Sequence, residues 1–292
     1  MKNLHLIIIL ALALCGVSTF AQEHTEVIKK ELQFSKISSN NVLTVNNVNG
    51  SISVEGYSGK KILLEVKKTI SGKTQAKLEK GKKEIELGIH QEDDGMIVYT
   101  KTPCSDIRYE KSNDDSWNWR TWKNNCNWGS GIHFNFDITI KIPYDLNIDV
   151  STVNDGDIVV KNVSGEVKAN NINGNITLKK IAGKTYAHTI NGDVDIEYSK
   201  NPGKDSKYYS LNGDINAYFQ KGLSAKLTFE SFNGDFFTDF DNIEMMPTLV
   251  QKKAKGKGIK YKVGGKSNMK IGTGNVLLDF ETFNGNVYVK TL

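Results

Sequence analysis

Residues 171–198, NINGNITLKKIAGKTYAHTINGDVDIEY, carry the same short phrase twice. Asn173-Gly174-Asn175 is followed by Ile-x-Leu, and Asn191-Gly192-Asp193 by Val-x-Ile eighteen residues later. Ala182-Gly183-Lys184 echoes the phrase weakly at the halfway point. Gly156, Gly165, Gly174, Gly183 and Gly192 fall nine residues apart, and Gly213 and Gly234 follow at spacings of twenty-one. Gly285 closes the series and Gly50 opens an earlier copy. A fixed-period repeat has to be settled before any local signal is trusted.

Asn-Gly between apolar runs ordinarily marks a two-residue hairpin. In such a hairpin Ile176 and Leu178 would point away from the face that Ile172 shares with Asn175, and one apolar set would be exposed. A chain that runs on as extended structure instead places Ile172, Gly174, Ile176 and Leu178 all inward, because strand side chains alternate. The parity therefore favours a coil of about eighteen residues, with a strong Asn-Gly corner and a weaker corner opposite. The later spacing of twenty-one puts extra residues at the weak corner, near SKNPGKDSK and QKGLS. Stacked coils would align Asn173, Asn191, Asn212 and Asn233 in one column. Asp157, Asn175, Asp193, Asp214 and Asp235 would form another beside it.

The expected fold is all-β: a single-domain β-solenoid-like repeat of short strands with Asn-Gly corners, plus one short surface helix. That helix starts within SGKTQAKLEKGKKEIELGI and is expected to end at Gly81. A calcium-binding nonapeptide roll is excluded by chemistry. Each unit has one glycine, with lysines or serines where that roll needs regular acidic ligands.

The opening MKNLHLIIILALALCGVSTFAQ has a charged start, a short apolar run and small residues at Thr19 and Ala21. It reads as a signal peptide over residues 1–21, cut before Gln22, which leaves 22–292 as the repeat domain. Leu14 before Cys15 departs from the lipoprotein pattern. No later stretch is apolar enough to span a bilayer, so no transmembrane span is expected in the mature chain. The formal charge of +5 is only mildly basic, and an exported chain meets no genomic DNA, so nucleic acid is not an expected partner. Cys104 and Cys126 remain after cleavage, and an isolated pair in an oxidising compartment is expected to form a disulfide.

Trp117, Trp119, Trp122 and Trp128 all fall in residues 103–132, beside Cys126. Exposed indoles stack on sugars or meet protein surfaces, although such a loop can also be a packed plug. Lys252, Lys253, Lys255, Lys257, Lys260 and Lys262 crowd the excursion 246–266. They could meet lipid phosphate or acidic polysaccharide, or simply blunt a β edge. Asp193, Asp214 and Asp235 make a weak candidate cation column, which ordinary corner hydrogen bonding also explains. No metal site and no cofactor is expected. His24, His90, His133 and His188 form no metal-spaced pair. Asp155 with Asp157, or Asp193 with Asp195, could serve as the paired carboxylates of a β-helical carbohydrate enzyme, but corner chemistry already explains Asp and Asn at these positions.

VNNVNGSISVEG (residues 45–56), the entry ITIKIPYDLNIDVSTVNDGDI (138–158) and the serial NGDI-type phrases resemble the bacterial putative-adhesin family, also called the toast-rack domain. The likeness covers about residues 35–292. It implies an exported all-β repeat protein and carries over no catalytic residue; the Trp-rich and Lys-rich segments depart from the family pattern. The expected function is a non-enzymatic envelope or cell-surface binding protein, adhesin-like, whose partner is a glycan or an envelope protein. The alternatives are an envelope stress or regulatory module that binds a protein, and a carbohydrate-active β-helical enzyme.

Overall fold

The computed structural model describes residues 22–111, 117–122, 128–247, 250–255, 258–263 and 266–292. Val167–Asn171 lies in one sheet and Ile176–Ile181 in the other. Thr185–Asn191 then returns parallel to the first, and Val194–Tyr198 parallel to the second. Ala169 is level with Ala187, and Ile176 with Val194. The Asn-Gly phrases thus turn corners between two sheets and close no hairpin. The chain is a two-faced parallel β-solenoid.

The sheets hold 11 and 10 strands, and most coils take one strand from each. Two coils leave chain order. Gly95–Lys101 and Ile132–Pro143 stack outside Val42–Asn46 and Ile52–Tyr57. At the other end Val276–Asn284 and Val287–Thr291 insert between Ser206–Asn212/Ile215–Phe219 and Ala225–Asn233/Phe236–Thr238. Asn212 therefore neighbours Asn284, and Asn233 lies one strand further out, a correction to the expected column.

A solenoid end would expose an apolar layer and open strand edges. Antiparallel strands extend the sheets at both ends: Ile62–Gly72 and Gln22–Leu32 in the smaller sheet, Glu86–Glu92 in the larger, and Ser267–Ile271 with Ile243–Met246 at the far end. The helix Gln75–Glu84 packs beside Ile62–Gly72, and Thr74 caps it by accepting from the Lys77 amide at 3.3 Å. Gly81 lies inside the helix rather than ending it, because a Cβ there would sit 2.8 Å from methyls of Ile70 and Ile132.

Between the sheets runs one apolar column from Phe34 to Val289. Its largest members stack coil on coil: Tyr198 on Phe219 with centroids 5.0 Å apart, and Tyr208 on Phe280 at 4.7 Å. The Tyr198 and Tyr208 hydroxyls meet at 2.7 Å across the core, which satisfies two buried polar groups. Burial pushes both phenols above their ordinary range.

The expected parity fails at the strong corner. Ile172 is 38% exposed while Val167, Ala169 and Asn171 on the strand before it are buried. The corner shifts the alternation by one residue, so the side chain three before Gly174, Gly192, Gly213 and Gly285 faces in. The reason is the glycine carbonyl, which the corner turns inward and which needs a donor. Asn171 donates to the Gly156 carbonyl at 3.0 Å, Thr189 to Gly174 at 2.9 Å, Ser210 to Gly192 at 2.8 Å and Thr282 to Gly213 at 3.3 Å. The apolar residue two before the glycine is thereby pushed outward at this corner. At the weak corner Val163 and Ile181 remain buried, as the period predicts.

Outside the corner the asparagines form the expected ladder, in spatial order. Asn49, Asn154, Asn173, Asn191, Asn212, Asn284 and Asn233 are joined by amide-to-amide hydrogen bonds of 2.8–3.2 Å, all donated in one direction.

Candidate functional site

The outward shift builds a surface feature. On the outer face of the larger sheet, Ile172, Ile190, Leu211, Phe283 and Phe232 fall into one row, each level with the next. The row becomes aromatic at the far end, where it is also most exposed. Phe283 is 45% exposed and Phe232 74%, and their rings stack 4.8 Å apart and 4° from parallel.

The next outward row holds His188, Tyr209, Glu281 and Glu230. His188 and Tyr209 stack at 4.5 Å, and burial lowers the imidazole below its ordinary range. A shallow groove of about 210 Å³ runs between the rows, lined by Tyr209, Glu230, Phe232, Glu281 and Phe283. Lys266 reaches into the acidic side. Its ammonium lies 2.8 Å from Asp279, 3.3 Å from Glu281 and 4.0 Å from Glu230. Partial burial pulls Lys266 down, but the bonds and charge of Asp279 and Glu281 outweigh this and hold it above its ordinary range.

Simple alternation places Phe232 and Phe283 inward, which hides this groove from the sequence. A signal for it exists: Ser231 and Thr282 stand where the inward donor belongs, so the next residue must face out.

The tryptophans, cysteines and lysines that the sequence singles out are dispersed. The strand Trp117–Trp122 pairs antiparallel with Ser105–Lys111 in a two-stranded sheet separate from both solenoid sheets. Trp128 sits at the base of the insertion, half-buried against the core, and its indole N–H donates to Glu84 of the helix. Cys104 is buried, and Cys126 lies outside the described residues. Lys252, Lys253 and Lys255 lie on Val250–Lys255, and Lys260 and Lys262 on Gly258–Val263. These two strands pair antiparallel as a sheet of their own, while Lys257 lies outside the described residues.

The acidic column is bound up in coil-to-coil hydrogen bonds. Asp157 accepts from the Asn175 amide at 2.7 Å, Asp193 from Asp214 at 2.8 Å and Asp214 from Asn286 at 2.7 Å. Asn286 separates Asp214 from Asp235, so three aspartates do not stack in succession, another correction. Asp195 accepts from the Asn216 side chain at 2.8 Å. Among the described residues no group of three or more His, Cys, Asp or Glu is arranged to hold a metal, and no helix is long and apolar enough to cross a membrane.

No protein-family model matches the chain, and no curated protein matches its sequence. Two crystal structures are similar to it. A putative cell adhesion protein from Clostridium sporogenes ATCC 15579 is 14% identical, with 92% of this chain and 100% of that one covered at a TM-score of 0.43. A putative adhesin from Bacteroides fragilis NCTC 9343 is 11% identical, with 91% and 97% covered at a TM-score of 0.33.

Proposed function

We propose that this is an exported, non-enzymatic binding protein of the cell envelope or surface, adhesin-like, that presents its Trp-rich hairpin on a rigid solenoid. The observation that supports this reading is the separate two-stranded sheet of Ser105–Lys111 and Trp117–Trp122, which pairs with no solenoid strand. Among the described residues, the segment that leaves the scaffold before Ile132 resumes it contributes no strand to either solenoid sheet, which suits display. Trp128 and its bond to Glu84 tie the base of the insertion to the helix.

The test is the triple variant Trp117→Ala, Trp119→Ala, Trp122→Ala in a pulldown from envelope extract. The expected result is loss of the captured partner with an unchanged melting temperature. A variant that no longer folds would make the hairpin a packing plug and sink the proposal. The same reading closes the insertion with a Cys104–Cys126 bridge. Alkylation of the exported protein should leave both cysteines unmodified until reductant is added, and modification at both without reductant would remove the bridge.

A further inference from the structure

We infer that the groove between Phe232–Phe283 and Tyr209 is a second binding site, for a neutral glycan, independent of the Trp-rich hairpin. Its apolar wall is a pair of near-parallel rings left 74% and 45% exposed. Isolated apolar side chains on a surface need no explanation, but a stacked aromatic pair beside a groove offers a large contact area at low entropy cost.

The charges choose the ligand class. Glu230 and Glu281 line the floor with side chains 46% and 45% exposed, so an anion would meet two carboxylates. A cation would meet a site already occupied, because Lys266 stands 3.3 Å from Glu281 and 2.8 Å from Asp279. It would have to share those carboxylates with an ammonium that the chain itself holds in place. A neutral sugar ring faces neither penalty. Its C–H face can lie on the aromatic wall while its hydroxyls donate to Glu230 and Glu281 and accept from Lys266. Few polar groups at fixed positions beside an apolar wall is the usual composition of a small-molecule site. The groove is open and of only about 210 Å³, which suits a short stretch of a longer chain rather than an enclosed ligand.

The structure gives the site stiffness. Its residues stand on Ser206–Asn212, Val276–Asn284 and Ala225–Asn233, neighbours in the parallel ladder with inward side chains buried in the core. The wall and floor are therefore set before any ligand arrives, which limits the ordering cost of binding.

The experiment titrates the mature full chain with soluble oligosaccharides of three kinds: neutral (cello-, malto- and N-acetylglucosamine oligomers), acidic (oligogalacturonate) and cationic (chitosan oligomers). At least one neutral oligomer should bind, with acidic and cationic ones weaker. Phe232→Ala with Phe283→Ala should weaken that binding about tenfold or more. Both rings are exposed, so the variant should fold, and Glu281→Gln gives a second, near-isosteric loss. The Trp117/Trp119/Trp122 triple variant should bind as wild type does. Absence of neutral binding, preference for a charged oligomer, or binding that survives the groove variants and falls only with the Trp variant would overturn the assignment.

Discussion

Gly192→Ala should lower stability by about 3 kcal/mol or more, a large loss for one methyl group. Two effects add. Gly192 has φ +156°, outside the range that L side chains favour. A Cβ there would also stand 2.3 Å from the Gly174 carbonyl oxygen and 2.6 Å from its carbon. Both contacts are backbone, so no side chain can swing away. Gly192 cannot retreat either, since a Cβ on Gly213 would lie 2.1 Å from the Gly192 oxygen in the next coil. That same oxygen accepts from Ser210 at 2.8 Å in the core. Shifting the corner therefore disturbs a buried hydrogen bond as well as the stack. Gly203→Ala is the control, because a Cβ there meets nothing within 4 Å and φ is unexceptional. It should be neutral or gain up to about 1 kcal/mol by restricting the unfolded chain. Urea midpoints for the two variants decide the matter, and equal midpoints would remove the corner argument.

The solenoid was legible because its period is a one-dimensional property. Glycine spacing of nine, with apolar residues at fixed offsets, is visible without any knowledge of long-range contacts. Parallel pairing at shifts of eighteen and then twenty-one follows from it directly. The facing of Ile172, Phe232 and Phe283 was not legible by alternation alone. Alternation holds while φ and ψ stay in the β region, and a glycine at φ +153° to +158° interrupts it. Polar residues such as Thr189 and Ser210 at inward positions mark the interruption, but their significance depends on the buried carbonyl they serve. The spatial order of the last coils was also beyond a local reading. Asn284 and Asn233 offer the same corner, and only the packing of the far end selects which of them meets Asn212. The candidate groove depends on both of these features, so it was invisible beforehand.

A chain ended after Lys266 should lose on the order of 10 kcal/mol and restack its last coil. The deletion removes Ser267–Ile271, Val276–Asn284 and Val287–Thr291. Ile271, Val276, Leu278, Phe280, Val287 and Val289 leave the core with them, each fully buried side chain having contributed roughly 1.5–3 kcal/mol. Ala225–Asn233 loses both strands it pairs with, and Phe236–Thr238 loses its one partner. Ser206–Asn212 and Ile215–Phe219 are left with open edges and half-covered side chains. Asn233 follows Asn212 by twenty-one residues, the same shift that joins Asn191 to Asn212. In that register Phe229 takes the place of Phe280 on Tyr208, Leu227 replaces Leu278, and Ser231 supplies the donor that Thr282 gave to the Gly213 carbonyl. The shortened chain can therefore rebuild the ladder in sequence order at reduced burial, since Thr238 stands in for Val289. Cysteines at Asn212→Cys and Asn233→Cys read out the difference. In the full chain a strand lies between these positions, which puts them about 9.6 Å apart, beyond the ~7 Å ceiling for a disulfide. In the shortened chain they become neighbours at about 4.8 Å and should bridge on oxidation. A shortened chain whose two cysteines stay reduced would mean that the last coil frays instead, and that the inserted strand alone holds Ala225–Asn233 in the sheet.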